Sequence, residues 1–301
     1  MWVLLAFVSA FFLGFYDVAK KKSLVGNSVL AVLFCNTLFC ALIFLPFILL
    51  SGFASDIVQG TIFDASLGLG FPKVAAHLLV LLKAFIVLSS WIMGYYALKH
   101  LPITIAGPVN AFRPVLVLMG ALLLFGERLN LLQWSGVIVS LLSLFLLSLS
   151  GRKEGIDFKS NKWIFVLFGA VVMGAVSGLY DKFIMKQLPP LFVQSWFNVY
   201  QVFIMGSVLL AMTRFSQQKF QWRWWILLIS IFISIADFAY FYALSYDTAL
   251  IAVVSMIRRG SVIVSFTAGA ILFREKNLKA KAFDLILILI GLALLCWGSV
   301  V

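Results

Sequence analysis

Arg113, Asp237, Arg258 and Arg259 lie deep inside apolar runs long enough to span a bilayer. Arg113 sits near the middle of ITIAGPVNAFRPVLVLMGALLLFGE, residues 103–127, with Pro114 directly after it. Arg258, Arg259 and Gly260 hold the corresponding place in ALIAVVSMIRRGSVIVSFTAGAILFRE, residues 249–275. A charge at that depth costs roughly 3 kcal/mol even on lenient insertion scales, so it faces a cavity or a partner. Arginine's planar fork donates two parallel hydrogen bonds, which suits a carboxylate or a phosphate. The chemistry read here is an anion clamp, with Arg113 from one half and Arg258 or Arg259 from the other. Asn110, one turn from Arg113, is a candidate for the same cavity. The structural alternative is that the arginines fasten carbonyls freed by Pro114 and Gly260 and merely close the bundle.

Depth follows from counting outward from two turns, near Leu101-Pro102 and Asp247-Thr248. Asp237 lies ten residues before Asp247, and Arg258 ten after Thr248, so at ~1.5 Å per residue both are about 15 Å deep. Asp237 can therefore pair with Arg258 or Arg259, which point ~100° apart on a helix. It is also the candidate coupling carboxylate, with a proton as the coupling ion. Trp91 occupies the place of Asp237 opposite Arg113, where a ring face holds a cation without neutralising it. Asn36 and Asn198 fall in similar places in the second and seventh segments, and Tyr16 and Tyr180 sit beside repeated small residues; all four are candidate cavity residues. Asp17 is read as a surface ion pair with Lys20 or Lys21, Asp181 lies beside Lys182, and Lys83 is expected to reach an interface.

These side chains need long helices to hold them, and the composition supplies little else. The 301 residues are 63% hydrophobic and 11% charged, with mean hydropathy +1.11, where a soluble domain carries about 25% charge. Ten apolar segments are predicted: Trp2–Ala19, Ser28–Leu50, Ala75–Leu98, Ile103–Phe125, Leu131–Leu149, Trp163–Asp181, Leu191–Met212, Trp224–Tyr246, Ala249–Phe273 and Ala282–Val301. Residues 51–73 read as a polar-faced loop, and the charged run GRKEGIDFKSN marks a boundary. The halves echo each other. Gly14-Phe-Tyr-Asp17 matches Gly178-Leu-Tyr-Asp181, and Tyr96-Ala-Leu98 matches Tyr242-Ala-Leu244. An odd number of spans per half forces the second half to enter from the opposite side, which predicts an all-α membrane protein of two inverted five-helix repeats. Two interrupted helices at matching positions point to a transporter binding site.

Other chemistries find no support. The net charge of +12 comes from basic residues in short loops, so no nucleic-acid partner is expected. The three cysteines and two histidines lack metal-ligand spacing, and no HExxH, nucleophile–base pair or GxxxxGK[ST] loop occurs. No catalytic residue, metal or cofactor is expected, and the chain does not read as an enzyme. Its first apolar run lacks a basic n-region and reads as a retained helix rather than a cleaved signal.

The run YYALKHLPITIAGPVNAFRPVLVLMGALLLFGERLNLLQWSGVIVSLL resembles the second part of an EamA repeat of the drug/metabolite transporter superfamily, and FYALSYDTALIAVVSMIRRG with FREKN resembles it again. The resemblance implies repeats over residues 1–150 and 163–301 joined by a charged linker, 151–162. It also implies export or uptake of a small metabolite by a secondary transporter. The alternative is a flippase for a lipid-linked, phosphate-bearing substrate. The expected setting is a cell membrane, a bacterial inner membrane, with the protein a monomer or weak dimer. The resemblance implies cytoplasmic termini, whereas the positive-inside count predicts both termini outside.

Overall fold

An apolar run of about 20 residues can satisfy its own backbone groups inside a bilayer only as a helix, and helices are what the sequence forms. The computed structural model describes residues 1–53, 74–100, 103–149, 162–212, 220–261, 263–265, 267 and 278–298. They form α1 (Trp2–Leu24), α2 (Val29–Phe53), α3 (Val74–His100), α4 (Ile103–Leu124), α5 (Leu131–Leu149), α6 (Lys162–Met185), α7 (Pro190–Met212), α8 (Trp224–Ser245), α9 (Ile251–Arg259) and α10 (Leu278–Gly298). No strand occurs among the described residues. Among the described residues six helices, α1, α2, α3, α6, α7 and α8, are long and apolar enough to cross a membrane. Leu123, Leu131 and Leu210 expose 81%, 88% and 78% of their surface, an outward apolar face suited to lipid.

Helix α1 outruns its predicted end at Ala19 and carries Lys21 and Lys22 in its last turn, where positive charge offsets the negative end of the helix dipole. The turn that follows holds Gly26 at φ 66°, and Asn27 then reaches across the bundle. Its Nδ2 donates to the carbonyl of Gln221 at 2.7 Å, and its Oδ1 accepts the Gln221 N–H at 3.0 Å. Arg223 adds a bond from Nη1 to the Lys22 carbonyl at 3.0 Å. At α5 the start is a reciprocal cap: the Gln133 N–H donates to Asn130 Oδ1 at 2.8 Å, and the Asn130 N–H to Gln133 Oε1 at 3.1 Å. Each side chain satisfies a donor the helix leaves open.

The main packing pairs are α1 with α8, α3 with α6, α2 with α7, and α5 with α10, with α4 against α6 and α9 against α1 and α4. Helices α5 and α10 touch backbone to backbone, since a methyl on Gly136 would lie 2.8 Å from the Gly291 carbonyl oxygen. The two central helices differ from one another more than expected. Helix α4 runs through Pro114 without a break, whereas α9 stops at Arg259, where the Gly260 N–H donates to Ile257. A proline removes one helical bond; the tightened turn at Gly260 interrupts the helix, and the described residues 261, 263–265 and 267 are helical again. The long 51–73 segment falls mostly outside the described residues, beyond the end of α2 at Phe53, as does the charged run 151–161.

Candidate functional site

Helices α8 and α9 face each other across the short turn at 246–250, and the depth count becomes a contact: Arg258 Nη2 donates to Asp237 Oδ1 at 2.8 Å. The Arg258 guanidinium also lies 4.0 Å from the centre of the Tyr240 ring, a cation–π contact one helical turn from Asp237. Arg259, the next residue, is within electrostatic reach of Arg113, Arg258 and Asp17. Arg113 comes from α4 and lays its guanidinium on α6 at Gly174, where a methyl group would sit 2.5 Å from Cζ. Only a glycine leaves that room. Its Nη2 donates to the Ala170 carbonyl at a long 3.4 Å. The Nε atoms of Arg113, Arg258 and Arg259 are all buried without a hydrogen-bond partner. Three half-buried guanidinium groups therefore approach one another, and among the described residues one carboxylate is bonded to them.

Tyr16 and Tyr95 border this group, their hydroxyls 3.1 Å apart. Lys20 stands 4.6 Å from the Tyr16 ring centre and binds Asp17 at 3.1 Å. Trp91 is half-buried among hydrophobic side chains that include those around Tyr16 and Tyr95. Asn36 is buried and joins α2 to α8: Ser230 Oγ donates to its Oδ1 at 3.1 Å, and its Nδ2 has no partner. Asn198, on α7, is buried with an unpartnered Nδ2. Tyr180 donates its hydroxyl to the Leu79 carbonyl at 3.0 Å, so its polar end is spent on α3. The Asn110 side chain lies outside the described residues.

Sequence reasoning missed the deepest charges. Lys83 does not reach an interface; it is 2% exposed and forms an ion pair with Asp181. Its Nζ also lies 4.5 Å from the ring centres of Phe197 and Phe241. Tyr240 is within hydrogen-bonding reach of Asp181, so this residue touches both the Lys83–Asp181 pair and Arg258. Lys182 turns the other way and donates to the carbonyls of Leu244, Tyr246 and Ala249, at 3.4, 3.3 and 2.7 Å. Successive helical residues point ~100° apart, which is why Asp181 and Lys182 serve different neighbours.

Glu127, in the α4–α5 loop, caps the start of α9: the Ile251 N–H donates to Oε1 at 2.7 Å and the Ala252 N–H to Oε2 at 3.2 Å. Burial raises its pKa, against the pull of those two N–H groups and of Lys182 and Lys186. An acid whose folded pKa is raised binds more protons folded than unfolded, so stability falls as pH rises through the window just above the ordinary carboxylate value. Thermal unfolding in detergent should show that fall in the native protein and lose it in Glu127→Gln. Glu127→Ala should cost about 1–2 kcal/mol as a lost cap.

The EamA-like transporter family matches the chain twice, over residues 1–149 and 161–297. Among solved structures 29 chains match. One of them, a protein crystal structure, has TM-score 0.72 and 16% identity, covers 97% of this chain and 95% of that chain, and shows a shared fold alone. No curated protein matches. With both matches together taking in nearly every residue from 1 to 297, the chain belongs to the EamA-like transporter family.

Proposed function

We propose that the protein is a secondary transporter that carries a small anionic or zwitterionic metabolite across the cell membrane by alternating access around the arginine cluster. The family's members are membrane transporters rather than enzymes. The observation that carries the reading is that Arg113 and Arg259, half-buried among apolar helices with their Nε atoms buried, have no carboxylate bonded to either among the described residues. Buried charge in a membrane is retained for function by default. Asp237, paired with Arg258 beside the site, is the coupling carboxylate in this reading. An uptake and efflux screen of small metabolites in proteoliposomes, with Arg113→Ala as control, tests it; transport that survives Arg113→Ala unchanged removes the anion clamp.

Alternating access asks for two parts that move against each other, and the two proposed units are five-helix repeats, 1–150 and 163–301, inverted relative to one another. The packing supports this. Exchanging α1–α5 with α6–α10 turns the α1–α8 pair into α6–α3 and the α4–α6 pair into α9–α1, and returns α2–α7, α4–α9 and α5–α10 to themselves. That is the pattern of a pseudo-two-fold axis in the membrane plane.

A second reading, a flippase for a lipid-linked phosphate, is favoured by one feature. An apolar groove of about 380 Å³ lies between α1, Ile257–Val264 and α10, bordered by Phe7, Phe11, Gly260, Val264 and Leu289. Phe11 and Leu289 are 50% and 53% exposed, so the groove opens on the outward apolar face of the bundle. Scrambling of a fluorescent lipid-linked phosphate by proteoliposomes, absent in the soluble-metabolite assay, would select it.

The proposed setting is a bacterial inner membrane, as a monomer or weak dimer, with both termini outside the cytoplasm. With that orientation fifteen of the 23 basic residues fall in cytoplasmic loops and four outside, as the positive-inside rule requires. A phosphatase active only in the periplasm should work when fused after Val301, and a cytoplasm-only fluorescent protein should stay dark. The reverse pattern would turn the protein over.

A further inference from the structure

Among the described residues, the interior charges of this bundle do not cancel. Lys83 is matched by Asp181, Arg258 by Asp237, and Lys20 by Asp17. Glu127 is spent on the amides of α9 and Lys182 on carbonyls of the α8–α9 turn. Arg113 and Arg259 remain, on α4 and α9, two helices packed on each other. The charge of Arg113 acts on the Arg259 guanidinium, and Asp17, already held by Lys20, is a carboxylate both of them feel. Each presents a buried Nε with no partner. A purely structural role for Arg113 is poorly served: its acceptor is Ala170 on α6, a carbonyl that already accepts Ser90 Oγ at 2.8 Å.

Like charges in a low-dielectric interior repel strongly and are tolerated where something of opposite charge completes the site. A monoanion would leave one arginine uncovered, and the ammonium of a zwitterion would be pushed away by the second. On the footing of the anion-transport reading, we infer that this site takes a small dianion, with one negative charge for each of Arg113 and Arg259. Two carboxylates or one phosphate ester supply the same charge. Either can engage both guanidinium forks, since each fork binds two oxygens in parallel.

Thermal unfolding of the purified full-length protein tests this with four probes at ~10 mM and matched ionic strength: succinate, methyl phosphate, butyrate and glutamate. Succinate and butyrate share a four-carbon chain and differ by one carboxylate; methyl phosphate, with a second pKa of about 6, is a dianion near neutral pH. Succinate or methyl phosphate, whichever charge spacing fits, should raise Tm by roughly 2–4 °C, with butyrate and glutamate well behind. In Arg113→Gln, with one free charge left, the preference should pass to butyrate. Arg113→Lys should keep the dianion preference at reduced strength, which guards against a glutamine variant that fails to fold. If butyrate or glutamate stabilises the native protein as strongly as either dianion, and Arg113→Gln abolishes it, the anion reading stands and the double charge is overturned. Shifts from none of the four, or shifts that Arg113→Gln leaves unchanged, overturn the arginine site itself.

Discussion

Arg113→Ala and Arg259→Ala should each abolish transport while the detergent-extracted protein stays folded and monodisperse. Among the described residues neither guanidinium has a bonded carboxylate partner, so removing either strands no opposite charge and relieves a like-charge repulsion. Arg258→Ala should behave differently. It leaves Asp237 without its partner at 2.8 Å, and breaking such a pair costs about 3–5 kcal/mol when it is buried; Arg258 and Asp237 keep 16% and 14% exposure, so the lower end is expected. Size-exclusion profiles and Tm beside transport rates separate the two classes. Loss of folding in Arg113→Ala would make that residue a fastener.

Lys83→Met should be among the most destabilising single changes in the chain. Lys83 and Asp181 are 2% and 7% exposed and join α3 to α6. Removing the lysine leaves a carboxylate in a pocket walled by Phe197, Phe241 and Tyr240, for which about 3–5 kcal/mol is the expected cost. Asp181→Leu alone should cost a similar amount. The double variant, Lys83→Met with Asp181→Leu, should recover most of the loss, because an apolar pair of similar volume is often neutral in such a place. Unfolding midpoints of the two singles and the double give the coupling directly. If the losses simply add, the pair is not what joins these helices.

How much of this was legible in the sequence varies with the range of the interaction. The Asp237–Arg258 pair could be found because both residues hang from one turn, ten residues on either side, and a helix converts that count into depth. The family resemblance was carried by the runs around Arg113 and Arg258, where glycine, proline and charge interrupt an otherwise uniform apolar text. Lys83–Asp181 was hidden because its partners are 98 positions apart on helices whose adjacency no local pattern announces. The sequence offered Lys182 as a nearer partner, and helical geometry should have ruled it out, since neighbours on a helix diverge by ~100°. Glu127 was equally hidden: it closes the run around Arg113, yet the N–H donors it accepts from lie 124 and 125 residues away, on Ile251 and Ala252. That an arginine would lie against Gly174 was not legible in the sequence.

Counterflow in proteoliposomes tests the central claim most directly. Vesicles containing the protein are loaded with an excess of an unlabelled metabolite chosen from the uptake screen, and the labelled compound is supplied outside at trace concentration. A carrier that exposes one arginine-lined site to each side in turn must accumulate label transiently, with no ion gradient imposed, and Arg113→Ala and Arg259→Ala vesicles must not. Counterflow undiminished in both variants, or label that only equilibrates whatever the vesicles hold, would contradict alternating access around these arginines.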